Sequence, residues 1–291
     1  MADQLQLSVF SDVLATLVAE AGAAVVSVHS KHTRGSGFVW KDGLVITSDE
    51  SLGEGDISVQ SADGVAKPAT LVGRDASTNI ALLRTDTGNA APTRFTAKLP
   101  RVGALAVAIG ARDGAALPAL GMIAVSGPAW RSLRGGAIDA RLELDVSIRR
   151  EAEGGLVVDA EGAALGMAAI GPRRRTLLIP AETIARIAPI LETKGRVPRG
   201  YLGLGLRPVR LDATQQTGAI VIHVDADGPG ARAGVHQGDI IEAWDGQPVA
   251  SIGSLLRGLG ADSVGQAIVL GLRRGGAQLP VNLTVGERPA A

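Results

Sequence analysis

Two short apolar runs, residues 35–39 (GSGFV) and 44–48 (LVITS), flank a Lys41-Asp42-Gly43 turn. Runs this short do not make helices, and a Gly-containing turn lets the chain double back, so the pair is predicted as an antiparallel hairpin. The device recurs along the chain. Strands are predicted at 23–29, 57–59, 105–109, 122–125, 142–148 and 156–158, separated by turns such as Asp63-Gly64. With 39 glycines and 14 prolines in 291 residues, punctuation is dense, and the length fits two or three domains. Helical spacing is kept by Phe10, Val13, Leu14, Leu17 and Val18, and again by Ile184, Ile187, Ile190 and Leu191 before a plausible stop at Gly195.

Composition excludes several roles. Twenty-nine basic and 29 acidic residues leave a formal net charge of zero, so no global field favours nucleic acid or an anionic membrane. The Arg173-Arg174-Arg175 run reads as a solvated turn. Cysteine is absent, which removes disulfides and thiolate metal sites. The first residues lack the basic start and unbroken apolar stretch of a secretory signal, and their helix is too short in apolar content to span a bilayer. A cytoplasmic location without membrane insertion is the expectation from these residues.

The stretch 145–159, DVSIRREAEGGLVVD, joins an alternating strand to a polar turn, a Gly154-Gly155 pair and a buried-looking strand. Such a glycine pair also fits a plain hairpin. This stretch resembles the nucleophile loop of the trypsin-like HtrA (DegP, DegS) proteases, roughly D-x-x-I-N-P-G-N-S-G-G-P-L. Asp145, Ile148, Gly154, Gly155 and Leu156 match, and Glu153 falls on the nucleophile. Residues 23–48 resemble the opening A-V-V-x-I, G-S-G-F-V and D-G-x-I-x-T-N-x-H-V-V, which sets Glu50 on the catalytic histidine. The segment ATLVGRDASTNIALLRT resembles A-x-V-V-G-x-D-x-x-T-D-L-A-V-L-K, which sets Asn79 on the catalytic aspartate. ALAVAIGARDGAALPALGMIAVSG and LLIPAETIARIAPILETKG continue the resemblance in order to residue 195. It implies two six-stranded antiparallel β-barrels of chymotrypsin type over 21–195; the helix over 1–20 before them rests on the spacing of Phe10, Val13, Leu14, Leu17 and Val18.

After a Gly195–Gly200 linker, RGYLGLGL, the Gly238-Asp239-Ile240-Ile241 run, Asp245-Gly246 and a helix at about 252–260 resemble a PDZ domain, expected over 199–288. Such a domain binds a C-terminal peptide as an added strand and holds its carboxylate on consecutive amides. The resemblance assigns that loop to Tyr201, Leu202, Gly203 and Leu204, the pairing strand to Leu204 and Leu206, and the pocket side to Ile252, Leu255 and Leu256. Each apolar side chain has a core reading as well.

Chemically, a carboxylate at Glu153 is a poor acyl acceptor, and an asparagine at 79 carries no charge to stabilise an imidazolium. The expectation is therefore a protein that is not an enzyme: an HtrA-like pseudoprotease acting as scaffold or regulator, binding partner C-termini, with no cofactor or metal. Two alternatives stand beside it. One is an active endopeptidase using displaced residues such as Ser36, Ser48, Ser51 or Ser147; the other is a divalent-cation or acid/base site where Asp49, Glu50 and Glu153 converge. His29, His32, His223 and His236 lie off the triad frame and read as surface or half-buried residues. The relatives form trimers through N-terminal segments, so a homo-oligomer is a further expectation from resemblance.

Overall fold

The computed structural model describes residues 2–96, 98–211 and 216–289, which divide into two compact units, 1–197 and 198–291. In the first unit, β1 (Val25–Ser30), β2 (Thr33–Lys41), β3 (Leu44–Ser48), β4 (Ile57–Gln60), β5 (Ala66–Asp75) and β6 (Ile80–Arg84) close a barrel in the order β1-β2-β3-β6-β5-β4. The predicted hairpin is β2–β3, with Phe38 opposite Ile46 and Val39 opposite Val45. A second closed barrel comprises β7 (Leu105–Arg112), β8 (Ala115–Gly127) and the strands Arg141–Leu144, Leu156–Asp159, Ala164–Ile170 and Thr176–Pro180. The architecture is mostly β, two six-stranded antiparallel barrels and then a PDZ region.

Strand alternation explains why LVITS is apolar nearly throughout. Side chains on successive residues face opposite sides. Val39, Val45, Ala81 and Leu83 fill the first barrel, while Phe38, Ile46, Ile80 and Leu82 join Ile109, Met167 and Ile179 in a core shared between the barrels. Both faces of β3 are therefore buried. The helix α2 (Ala181–Lys194) lays Ile184, Ile187, Ala188 and Leu191 on that shared core, at the spacing of one helical face. It ends where Gly195 takes a φ of +70° and returns its amide to the Leu191 carbonyl at 2.9 Å. Ile190, expected on the same face, is only partly buried.

The N-terminal helix α1 (Ala2–Gly22) is longer than expected and uses only half of its apolar stripe. Leu14, Leu17, Val18 and Ala21 pack on the core, whereas Phe10 and Val13 are 46% and 58% exposed. Only its C-terminal turns find a partner surface. No helix among the described residues is long and apolar enough to cross a membrane.

The second unit is a sheet in the spatial order Leu204–Leu211, Gln216–Val224, Ile240–Trp244, Ala267–Arg274, Ala277–Thr284, with a helix at Ile252–Gly258. The Asp245-Gly246 signature is a two-residue hairpin turn: φ is +46° and +78°, and Trp244 faces Gln247 across it. Asp239 of the Gly-Asp-Ile-Ile run is buried and accepts from Arg274 through Nε and Nη2, both at 2.7 Å, and from the His236 amide at 2.8 Å. Its role is structural.

Candidate functional sites

The fold brings together the positions that the resemblance assigned to the protease cleft. Residues Asp49–Ser51 form a single 3-10 turn directly after β3, and Arg150–Ala152 form another at the start of the Gly-Gly loop. Asn79 takes a φ of +60°, a conformation that asparagine and aspartate tolerate better than most side chains. Its Oδ1 accepts from the Glu50 amide and from Ser48 Oγ, each at 2.9 Å. Ser48 Oγ also lies 3.3 Å from Glu153 Oε1, and the Ile170 amide approaches the same oxygen at 3.4 Å. Glu153 is 5% exposed, and burial, with Glu50 nearby, pushes its carboxyl above the usual range. The one hydroxyl proton of Ser48 has two acceptors, Asn79 Oδ1 and Glu153 Oε1.

The glycine pair has a tertiary cause. A Cβ on Gly154, whose φ is +85°, would stand 2.3 Å from the Ser36 carbonyl oxygen and 2.8 Å from the Ser48 amide, both in the first barrel. A Cβ on Gly155 would meet the Ile109 carbonyl at 2.4 Å. The loop of the second barrel is thus seated directly on the backbone of the first. Ser36, fully buried, pins it: its amide donates to the Glu153 carbonyl at 2.8 Å, its hydroxyl to the Glu151 carbonyl at 2.5 Å, and the Ala111 amide donates to that hydroxyl at 2.8 Å. The Glu153 amide donates within its own turn, to the Arg150 carbonyl at 3.2 Å.

Of the three acids expected to converge, Glu50 and Glu153 line one cavity, while Asp49 does not join them. Asp49, 4% exposed, is turned to Arg74 at 2.5 Å, and Glu50 is paired with Arg134 at 3.2 Å. The charge of Glu50 disfavours ionisation of the buried Glu153 carboxyl, and the Arg134 guanidinium offsets that charge. Among the described residues no group of three His, Asp or Glu is placed to hold a metal ion. Of the displaced-serine candidates, Ser36, Ser48 and Ser51 are buried with their hydroxyls bonded, and Ser147 is exposed in the loop three residues after the Arg141–Leu144 strand. What the sequence reading missed is the rim. His29 and His32, set aside as scattered, line one cavity of about 700 Å³ with Glu50, Ser51, Glu151 and Glu153. Their position in and beside the β1–β2 turn was the available signal.

In the second unit, Gly203 has a φ of +71° and packs against Gly228, where a Cβ would meet the Gly228 Cα at 2.8 Å. Its carbonyl accepts from Asp225 at 2.9 Å and that of Leu202 from Gly230 at 2.7 Å, while the amides of Leu202 and Gly203 donate to no acceptor among the described residues. The Leu204–Leu211 strand follows at once and forms an edge of the sheet. Tyr201 directs its hydroxyl to Asp225, whose carboxylate also meets His223 at 2.9 Å. Leu204, Leu206 and Ile252 are half-buried beside the core; Leu202 and Leu255 are buried within it; Leu256 is 60% exposed.

Comparisons with known proteins agree with this architecture. The family described as trypsin-like peptidase domain matches residues 35–167, and PDZ domain matches 200–285. Proteins named probable periplasmic serine endoprotease DegP-like, from Rhizobium meliloti and Halomonas elongata, are each 30% identical over 278 residues. The matches cover 88% and 90% of this chain and 54% and 58% of those proteins, so the chain spans about half the length of the curated relatives it matches. The serine endoprotease from Yersinia pestis superposes with a TM-score of 0.73 at 28% identity, covering 94% of this chain and 97% of that one. The HtrA-type protease AlgW with tripeptide gives 0.69 at 25%, covering 95% and 98%.

Two expectations are corrected by these relatives. The chain was expected not to be an enzyme, but the proteins it resembles are named serine endoproteases, and the likeness points to an enzyme. It was expected in the cytoplasm, yet the curated relatives are named periplasmic. Both expectations leaned on local features, three side chains in one case and the first residues in the other, whereas the likeness extends over most of the chain. With its two barrels, its PDZ sheet and these relatives, the chain is a homologue of the DegP/HtrA proteins and carries a trypsin-like peptidase domain followed by a PDZ domain.

Proposed function

We propose that this chain is a DegP/HtrA protein of an exported compartment whose PDZ unit captures the C-termini of partner polypeptides. The observation that carries the reading is the pair of undonated amides at Leu202 and Gly203, placed where the free-edge strand begins. Backbone N–H groups without an acceptor are suited to an anion, and an adjacent strand edge is suited to an extended chain, so the two together fit a peptide that ends there. Tyr201 is turned to Asp225 and holds the loop; Leu204, Leu206, Ile252 and Leu256 offer the apolar side for the terminal side chain; Leu202 and Leu255 support from the core.

Binding of labelled peptides, chosen from a random C-terminal library, to the full chain tests the reading by fluorescence anisotropy. Main-chain pairing with one or two side-chain pockets corresponds to affinities around micromolar. Amidating the C-terminus removes a charge-assisted interaction of about 1.5–3 kcal/mol and is expected to weaken binding tenfold or more. Equal affinity for acid and amide would refute carboxylate capture. Gly203 is a poor probe by comparison, because its positive φ and the contact with Gly228 make any larger residue a folding defect as well.

A further inference from the structure

The β1–β2 turn carries Lys31 and His32, and both line the cleft cavity of about 700 Å³ together with Arg150 of the second barrel. Both carriers are fixed. The Ser30 and Thr33 hydroxyls meet across the β1–β2 turn at 2.5 Å, and the Gly53 amide donates to them at 2.8 and 3.1 Å. Arg150 opens the 3-10 turn whose neighbouring carbonyls, of Glu151 and Glu153, both accept from Ser36. Side chains that leave a pinned backbone lose less freedom when a ligand arrives.

The charges around this cavity are unevenly matched. Glu50 and Glu151 are offset from outside it, by Arg134 at 3.2 Å and Arg112 at 2.8 Å, while Arg34 and His29 lie 3.8 and 3.9 Å from Asp113. Lys31, His32 and Arg150 make no ion pair among the described residues, and they stand against a single unpaired acid on the lining, Asp56. Glu153, buried and with its carboxyl held above the usual range, adds less negative charge than an exposed glutamate. A phosphodiester polyanion would meet Glu50, Glu151 and Asp56 as well as the cations. A polypeptide with one or two acidic side chains can match the cations singly, which is the complementarity this mixed lining offers.

We infer that the cleft cavity is a subsite for acidic segments of polypeptide, in which Lys31 and Arg150 bind a carboxylate side chain of the incoming chain. His32 adds its charge only when protonated, so the two permanent cations carry the preference. The subsite lies in the first unit and reads side-chain carboxylates, so it is independent of the proposed capture of C-termini by the second.

The experiment uses the full chain and short labelled alanine-rich peptides, acetylated and amidated so that neither end offers a carboxylate to the second unit. Three versions differ at two central positions, which are Glu-Glu, Gln-Gln or Lys-Lys. By fluorescence anisotropy at low salt, the glutamate peptide is expected to bind about tenfold tighter than the glutamine one, as for one or two charge-assisted hydrogen bonds, and the lysine peptide more weakly still. Lys31→Gln and Arg150→Gln are each expected to lower that preference about threefold and together to abolish it. Both residues are exposed, so neither change opens a core. Free glutamate at millimolar concentration is expected not to displace the peptide. Equal affinity for glutamate and glutamine peptides, no measurable binding of any of the three, or a preference retained by the double variant overturns the inference. Displacement by free glutamate overturns it in favour of a small-carboxylate site. The peptide series on the unaltered protein decides the matter even where a variant fails to fold. Because the peptides have no free C-terminus, each of these results leaves carboxylate capture standing, and equal binding of acid and amide tails by the second unit leaves this subsite standing.

Discussion

Glu153 concentrates the physical tension of the first unit in one side chain. It is buried, pairs with no cation among the described residues, and its contacts with Ser48 and the Ile170 amide are long, 3.3 and 3.4 Å, with the Asn79 side chain as a further hydrogen-bond neighbour. Burial raises its folded-state pKa above the unfolded value, so the folded state binds the extra proton and stability falls as pH rises from the unfolded value through the folded one. Replacing Glu153 with Gln removes this loss. The difference in melting temperature between Glu153→Gln and the parent is expected to be small at acidic pH and to grow in favour of the variant towards neutrality; a constant difference from pH 4 to 8 would exclude the titration. Gly154 is the second residue-scale determinant. Gly154→Ala forces a Cβ into the Ser36 carbonyl and a left-handed φ, costs that together exceed about 2 kcal/mol, read as a lowered denaturation midpoint.

Among elements, the PDZ helix Ile252–Gly258 separates core from groove most sharply. Leu255 is 2% exposed and Leu256 60%, although both are adjacent leucines on a seven-residue helix. Its start is secured by a capping box, in which Ser251 and Ser254 satisfy each other's amides. Leu255→Ala leaves a cavity and is expected to lose about 2–5 kcal/mol of stability. Leu256→Ala is expected to stay within about 0.5 kcal/mol of the parent in stability and to weaken binding of the C-terminal peptide. Denaturant midpoints and anisotropy on the same two variants distinguish these roles, and a matched effect of both on stability would remove Leu256 from the groove. The helix α1 makes the complementary point: an apolar stripe legible in the sequence has a partner only along its last turns.

For the whole molecule, two cores in two compact units predict that each can be weakened separately. Asp239, buried and held by Arg274 and the His236 amide, has its carboxyl below the usual range chiefly through the Arg274 hydrogen bonds. A depressed carboxyl contributes stability above its unfolded pKa and loses it as pH falls through the folded one, opposite in sign to Glu153. Asp239→Ala is expected to destabilise residues 198–291 by about 1.5–3 kcal/mol while protection of barrel amides is retained, as followed by hydrogen exchange. Loss of protection in both units together would show one cooperative molecule.

The strands, the turns and both domain types were legible because they rest on short-range chemistry. Glycine and Asp-Gly turns, period-two alternation and the helical spacing of Ile184, Ile187 and Leu191 act between neighbours in the chain, and each element's type follows from them. Sequence alone also marked Glu50, Asn79 and Glu153 as positions of one cleft, through resemblance rather than spacing. It left other matters open: that Asp49 and Glu50 turn to separate arginines, that His29 and His32 reach the rim beside Glu153, and that Leu255 and Leu256 part company. These depend on which distant segments meet. A side chain's exposure, its ion pair and its protonation are set by neighbours 25 to 105 positions away, as for Arg74 with Asp49 and Ser48 with Glu153, and only closure of the barrels brings those neighbours together.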